Sequence, residues 1–276
     1  MSEKPMQLRH EFVGMMFAVT IGEVGLQTAA LVQAGQSWQY LPAWTHLILA
    51  TAVIATSWVG WSLSQAIIPK QDVRGIFQWQ FIVLVLDVCL VIMYFILVRT
   101  VDFGKDHGVP RIDPASKVAL IVVWIFWVYI VWDVITKVVM YWLNRREHGQ
   151  NWLRDDALRI SPTLVCLLCA YWVLHSARMA DVPHWICVDL ASFSLFFLFR
   201  ALKDVVSAAW PKKDSPPRSV SWAIFWSTVC IAGVVLGSLA TQRRWSLPLP
   251  QAAIADLNAP MRSASELPSG NDSSQR

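Results

Sequence analysis

Residues Val118–Leu143 read VALIVVWIFWVYIVWDVITKVVMYWL. A helix over this stretch exceeds the ~20 residues that cross a ~30 Å hydrocarbon core, yet it contains Asp133 and Lys137. A charge at such a depth costs ~2.5–3.5 kcal/mol unless it is paired or reached by water. The stretch therefore reads as one span of a multi-span membrane protein with a polar interior.

Six further apolar runs are available: Phe12–Ala34, Trp44–Ile68, Ile76–Val98, Ile160–Ala177, Trp185–Ala209 and Val220–Thr241. Ile160–Ala177 is the shortest and reads either as a full crossing or as a re-entrant segment, so the expected count is six to seven spans. Pro42, Pro69, Pro110, Pro114, Pro162 and Pro183 fall between the runs or at their edges, where proline marks helix limits. The fold class expected is all-α: a polytopic transmembrane helix bundle of about seven spans with a polar interior, occupying residues 1–243. Residues 244–276 are rich in Ser, Pro, Asn and Ala and poor in bulky apolar side chains, the composition of a disordered polar tail.

Composition agrees with this class and excludes others. Hydrophobic residues make up 55% of the chain and charged residues only 15%, against about 25% charged in soluble domains; the mean hydropathy is +0.45. The net charge of +4 resides in the connections, which excludes a nucleic-acid footprint. The partners expected are membrane lipids, and either a second copy of the chain or a membrane or soluble protein. Lys70, Arg74, Arg145, Arg146, Lys212 and Lys213 gather on connections of one side, which predicts a cell membrane protein with a cytoplasmic N-terminus. The first run is longer than a signal-peptide core and holds Glu23, so it reads as an uncleaved span. All five cysteines lie within apolar runs, as buried reduced thiols rather than a disulfide framework. Many of the sixteen tryptophans stand near span ends, in the manner of interfacial belts.

Residues at i, i+3, i+4 and i+7 share a helix face, and this spacing aligns the polar residues. Met16, Thr20, Glu23 and Gln27 fall on one face of the first run, and His46, Ala50, Val53, Ser57 and Trp61 on one face of the second. The third run aligns Gln80, Val83, Asp87, Val91 and Tyr94, and the fourth Phe126, Ile130, Asp133 and Lys137, opposite Trp124 and Trp127. The sixth aligns Asp189, Ser192, Phe196, Arg200 and Lys203. Five spans thus each direct a polar stripe to a common interior.

Interhelical hydrogen bonding accounts for polar residues worth ~0.6–2 kcal/mol each. Three near-central carboxylates, Glu23, Asp87 and Asp133, go beyond that need, since each requires pairing, protonation or water. Together with Gln27 they are the expected lining of an ion path or polar pocket. Asp133 and Lys137 also stand in the favourable i, i+4 order for an ion pair. Lys137, Arg200 and Lys203 would share a depth near the inner headgroups and form a basic inner ring facing anionic lipid or substrate. His46, His175 and His184 gather at the opposite end as candidate metal ligands. No two occupy adjacent helix turns, so no metal and no other cofactor is predicted. Cys166 and Cys169 form a CxxC that reads as packing, and Gly233 and Gly237 a GxxxG suited to close helix approach.

Seven spans invite comparison with retinal proteins, but Val220–Thr241 contains no lysine for a Schiff base, which excludes that class. No nucleotide-binding, hydrolase or zinc-protease motif occurs in a usable context. The functional expectation is a non-enzymatic, multi-pass protein that conducts, transports or senses a small ion, the proton included. The alternative is a non-conducting sensor or accessory subunit acting through a protein partner.

Overall fold

The computed structural model describes residues 8–33, 40–67, 79–102, 111–144, 152–179, 185–209 and 220–242. Nearly all of these lie in seven helices: α1 Leu8–Gln33, α2 Leu41–Ile67, α3 Trp79–Val98, α4 Ala115–Asn144, α5 Trp152–Met179, α6 Trp185–Ala209 and α7 Val220–Gln242. Even α3, the shortest at 20 residues, is ~30 Å long, and each helix contains a stretch long and apolar enough to cross a membrane. The chain is a multi-pass membrane protein built as a seven-helix bundle. The fifth run is a full-length span, Ile160–Met179, so the count is seven rather than six. The polar tail expected at residues 244–276 lies outside the described residues.

Two local features differ from the sequence reading. Helix α5 begins at Trp152, so Pro162 sits inside it and not at its start; the polar turns before the apolar run contain Leu, Arg and Ala, good helix formers that extend it. Proline there removes one backbone donor without ending the helix. Between α3 and α4, a two-residue antiparallel ribbon forms, β1 Val101–Asp102 and β2 Arg111–Ile112, with Val101 opposite Ile112. Asp113 N–H donates to Thr100 O at 2.9 Å and continues the ribbon toward α4.

Helix α6 takes the middle of the bundle, against α2, α4, α5 and α7, while α1 packs on α2 and α3, and α3 on α4. The polar stripes are the faces that turn inward. His46, Ala50, Val53, Ser57 and Trp61 are all buried on α2, as are Gln80, Val83, Asp87, Val91 and Tyr94 on α3. On α4, Phe126, Ile130 and Asp133 are buried whereas Trp124 and Trp127 are exposed, so the indoles face lipid. The α6–α7 contact is the most extensive. A Cβ on Gly237 would lie 2.9 Å from both the Ala191 Cβ and the Cys187 carbonyl, and one on Gly233 2.9 Å from the Ser194 Cβ. The GxxxG face is thus closed within the chain, and the opposite face of α7 exposes Ile224 and Ile231 to lipid.

Candidate functional site

Alternate helices run in opposite directions, so the second half of α2, the first half of α3, the second half of α4 and the second half of α6 meet at one depth. There the stripes enclose a cavity of about 250 Å³. Asp87 of α3, Asp133 of α4, and Arg200 and Lys203 of α6 line it, together with Phe17, Ser57, Gly60, Trp61, Leu90, Tyr94, Tyr129, Trp132 and Phe199. Four ionisable groups of opposite sign share this space with six aromatic rings.

Asp87 is 3% exposed and is held by indoles: Trp61 Nε1–H donates to one carboxylate oxygen at 3.2 Å and Trp132 Nε1–H to the other at 3.1 Å. Asp133, equally buried, accepts from Lys203 Nζ at 3.2 Å and from the Thr163 hydroxyl at 2.5 Å. The cation on Asp133 is thus supplied by Lys203 of α6, with Lys137 near enough for its charge to act on Lys203. A carboxylate taken out of water keeps its charge at tolerable cost only with such donors. Lys203 Nζ also stands 4.7 Å from the Phe199 ring centre, a cation–π distance. Arg200 crosses to α2, where its guanidinium donates to the Thr56 carbonyl; the glycine at position 60 makes room for it, because a Cβ there would overlap the guanidinium. Arg200 also borders a groove between α6 and α7 lined by Phe197, Asp204, Trp222 and Trp226.

A chain of hydroxyls closes the far end of the cavity: Ser57 Oγ and Tyr129 OH are 2.6 Å apart, and Tyr129 OH and Tyr94 OH 2.8 Å. Beyond it the facing residues are apolar except for one serine. Ala50 and Val53 of α2, Leu97 of α3, Val122 of α4 and Leu195 of α6 are all buried. Ser192 lies in the same layer, and its buried hydroxyl has no hydrogen-bond partner among the described residues.

Glu23 and Gln27 do not line this cavity. Glu23 accepts from Arg99 Nη1 at 2.9 Å and from Gln27 Nε2 at 2.8 Å, and Arg99 lies just past the end of α3. The structure therefore groups Asp87 with Asp133 and moves Glu23 to the opposite end of α3, in an ion pair whose Arg99 side chain is 44% exposed. The hydrogen bond it donates to Glu23 raises the Arg99 guanidinium further above its ordinary range.

The three histidines also separate. His46 is fully buried between Asp189 and Thr100, His175 is exposed on α5, and His184 lies outside the described residues. Among the described residues no three His, Cys, Asp or Glu side chains gather closely enough to hold a metal.

The residues that sequence reasoning left out are the uncharged donors: Trp61 and Trp132 on Asp87, Thr163 on Asp133, and the Ser57–Tyr129–Tyr94 chain. Ser57, Trp61 and Tyr94 stood on the right stripes, but two indoles turned inward to a carboxylate have no signature in spacing. Compared with models of protein families, with curated proteins and with solved structures, the chain finds no match in any of the three.

Proposed function

We propose that the protein binds a small ion, the proton among the candidates, in the Asp87–Asp133 cavity and passes it across the membrane by gated access, without chemistry on the ion. One observation carries this reading: two carboxylates and two cations converge on one space inside the spanning region, where ionisable groups are costly and mark ion or ligand sites. The apolar layer beyond Tyr94 supports a gate in preference to an open pore. A cytoplasmic N-terminus, residence in the cell membrane and assembly as a homo-oligomer belong to the same proposal.

The test is flux into proteoliposomes, read with a pH-sensitive dye and a panel of cations, for wild type, Asp87→Asn, Asp133→Asn and Glu23→Gln. Both aspartate variants are expected to lose most of the flux and Glu23→Gln to keep it. Flux left unchanged by Asp87→Asn and Asp133→Asn overturns the reading. The apolar layer also favours a second reading, a non-conducting sensor acting through a partner. That reading predicts no flux but an ion-dependent change in tryptophan fluorescence that Asp87→Asn abolishes, because Trp61 and Trp132 hold Asp87.

A further inference from the structure

At the other end of the same helices, His46 of α2 and Asp189 of α6 face each other with 0% and 3% exposure. His46 Nδ1 is 2.9 Å from Asp189 Oδ1, and His46 Nε2 is hydrogen-bonded to Thr100 Oγ1. Thr45 Oγ1 donates to the second carboxylate oxygen, Asp189 Oδ2, at 2.7 Å. Thr100 Oγ1 has a second neighbour, the Leu97 carbonyl, at 2.5 Å. A hydroxyl carries one hydrogen and two lone pairs, so Thr100 can donate to His46 or to Leu97, but not to both.

We infer that His46 and Asp189 form a proton-binding site that gains or loses one proton with every heavy atom in place. In the proton-free form, Nδ1–H donates to Asp189 and Thr100 O–H donates to Nε2; the pair carries a net charge of −1. In the loaded form, the incoming proton bonds to Nε2, Nε2–H donates to Thr100 Oγ1, and the Thr100 hydrogen turns to the Leu97 carbonyl; the pair becomes neutral. Both forms leave each polar atom of the cluster partnered, which a buried site requires.

On the elements packed against α2 at this end, the charged side chains among the described residues are Asp189, Glu23 of α1, Arg99 and Asp102. Arg99 binds Glu23 at 2.9 Å and Asp102 at 3.5 Å, so these three keep a net charge of −1, of the same sign as Asp189; on α4 and α5, which pack on α6, Lys117 pairs with Asp113 at 2.6 Å, and His175 and Arg178 are exposed. The inference goes beyond the cavity and does not depend on what the cavity carries.

The experiment is 15N NMR of the histidine rings in the full chain, held in nanodiscs and taken from pH 9 to pH 4. His46→Gln identifies the His46 signals by their loss. The wild type is expected to show Nε2 passing from unprotonated to protonated while Nδ1 stays protonated. Asp189→Asn should shift this transition to lower pH or abolish it, and Asp189→Glu should keep it. Ring nitrogens of His46 that hold one protonation state from pH 9 to pH 4 in the wild type overturn the inference, as does a transition that Asp189→Asn leaves in place. The wild-type result stands even if a variant fails to fold. The readout uses no flux, so its failure is separate from that of the cavity reading.

Discussion

Lys203→Met tests whether Asp133 is held by α6 or by its own helix. Lys203 Nζ lies 3.2 Å from both Asp133 oxygens, and two unit charges at that distance attract by about 5 kcal/mol at an effective dielectric of ~20. The Lys203 side chain is 32% exposed and that of Asp133 5%, and both line the cavity. Water there brings the coupling down to about 2–3 kcal/mol, still above the ~0.6 kcal/mol average of polar pairs between membrane helices. Methionine keeps the packing on Phe199 and removes the charge, which strands Asp133 beside Thr163, so Lys203→Met is expected to cost about 3 kcal/mol. Asp133→Asn still accepts from Thr163 and should cost about 1–2 kcal/mol. In the double variant no buried charge is stranded, and the loss is expected near 2 kcal/mol. The measurement is reversible unfolding in mixed micelles, followed by tryptophan fluorescence, for wild type, both single variants and the double. If the double variant loses the full sum of the two single losses to within ~0.5 kcal/mol, the pair is not coupled and the geometry described for Asp133 is wrong.

Trp132→Phe removes the indole donor 3.1 Å from Asp87 and is expected to cost about 1.5–3 kcal/mol, because the carboxylate stays behind. Gly237→Ala meets the Cys187 carbonyl at 2.9 Å, which cannot step aside, and should destabilise by about 1–3 kcal/mol. Gly22→Ala, with nothing within 4 Å of the new methyl, should be neutral or stabilising by up to ~1 kcal/mol; the same unfolding assay compares the two. Gly60→Ala should displace the Arg200 guanidinium from the Thr56 carbonyl and alter flux in proteoliposomes, with a smaller loss of stability than Gly237→Ala, since a flexible side chain gives way.

Most of the fold was legible because a bilayer imposes one length and one polarity on every crossing. Apolar runs located all seven spans, and the 3.6-residue spacing picked out the buried faces of α2, α3, α4 and α6 from their polar members alone. Partnership across helices was not legible. Asp133 has Lys137 one turn away in sequence, yet the structure sets Lys203 against it, because α6 brings a cation to the same depth from the opposite wall. Glu23 shares the stripe pattern of Asp87, but α1 runs far enough to carry it to the end of α3, where Arg99 waits outside the span. Spacing along one helix fixes a face; depth relative to a second helix depends on where each begins, and polar turns such as those opening α5 hide that starting point.

Helices α2 and α6 run parallel and are tied at two rungs in nearly constant register. His46 meets Asp189, 143 positions on, and Thr56 meets Arg200, 144 positions on. The rungs are ~15 Å apart along each helix, one at the histidine pair and one in the wall of the cavity, with Ala50, Val53 and Leu195 packed between them. A rigid pair of helices cannot slide at one rung and stay fixed at the other. The interface that carries the histidine rung is therefore the one that holds Arg200 over Gly60. Measured together, the protonation of His46 and the proposed flux through the Asp87–Asp133 cavity should shift in concert when Gly60→Ala loosens the Arg200 rung. Independent shifts would mean that α2 and α6 bend between the two sites and that the rungs belong to separate functions.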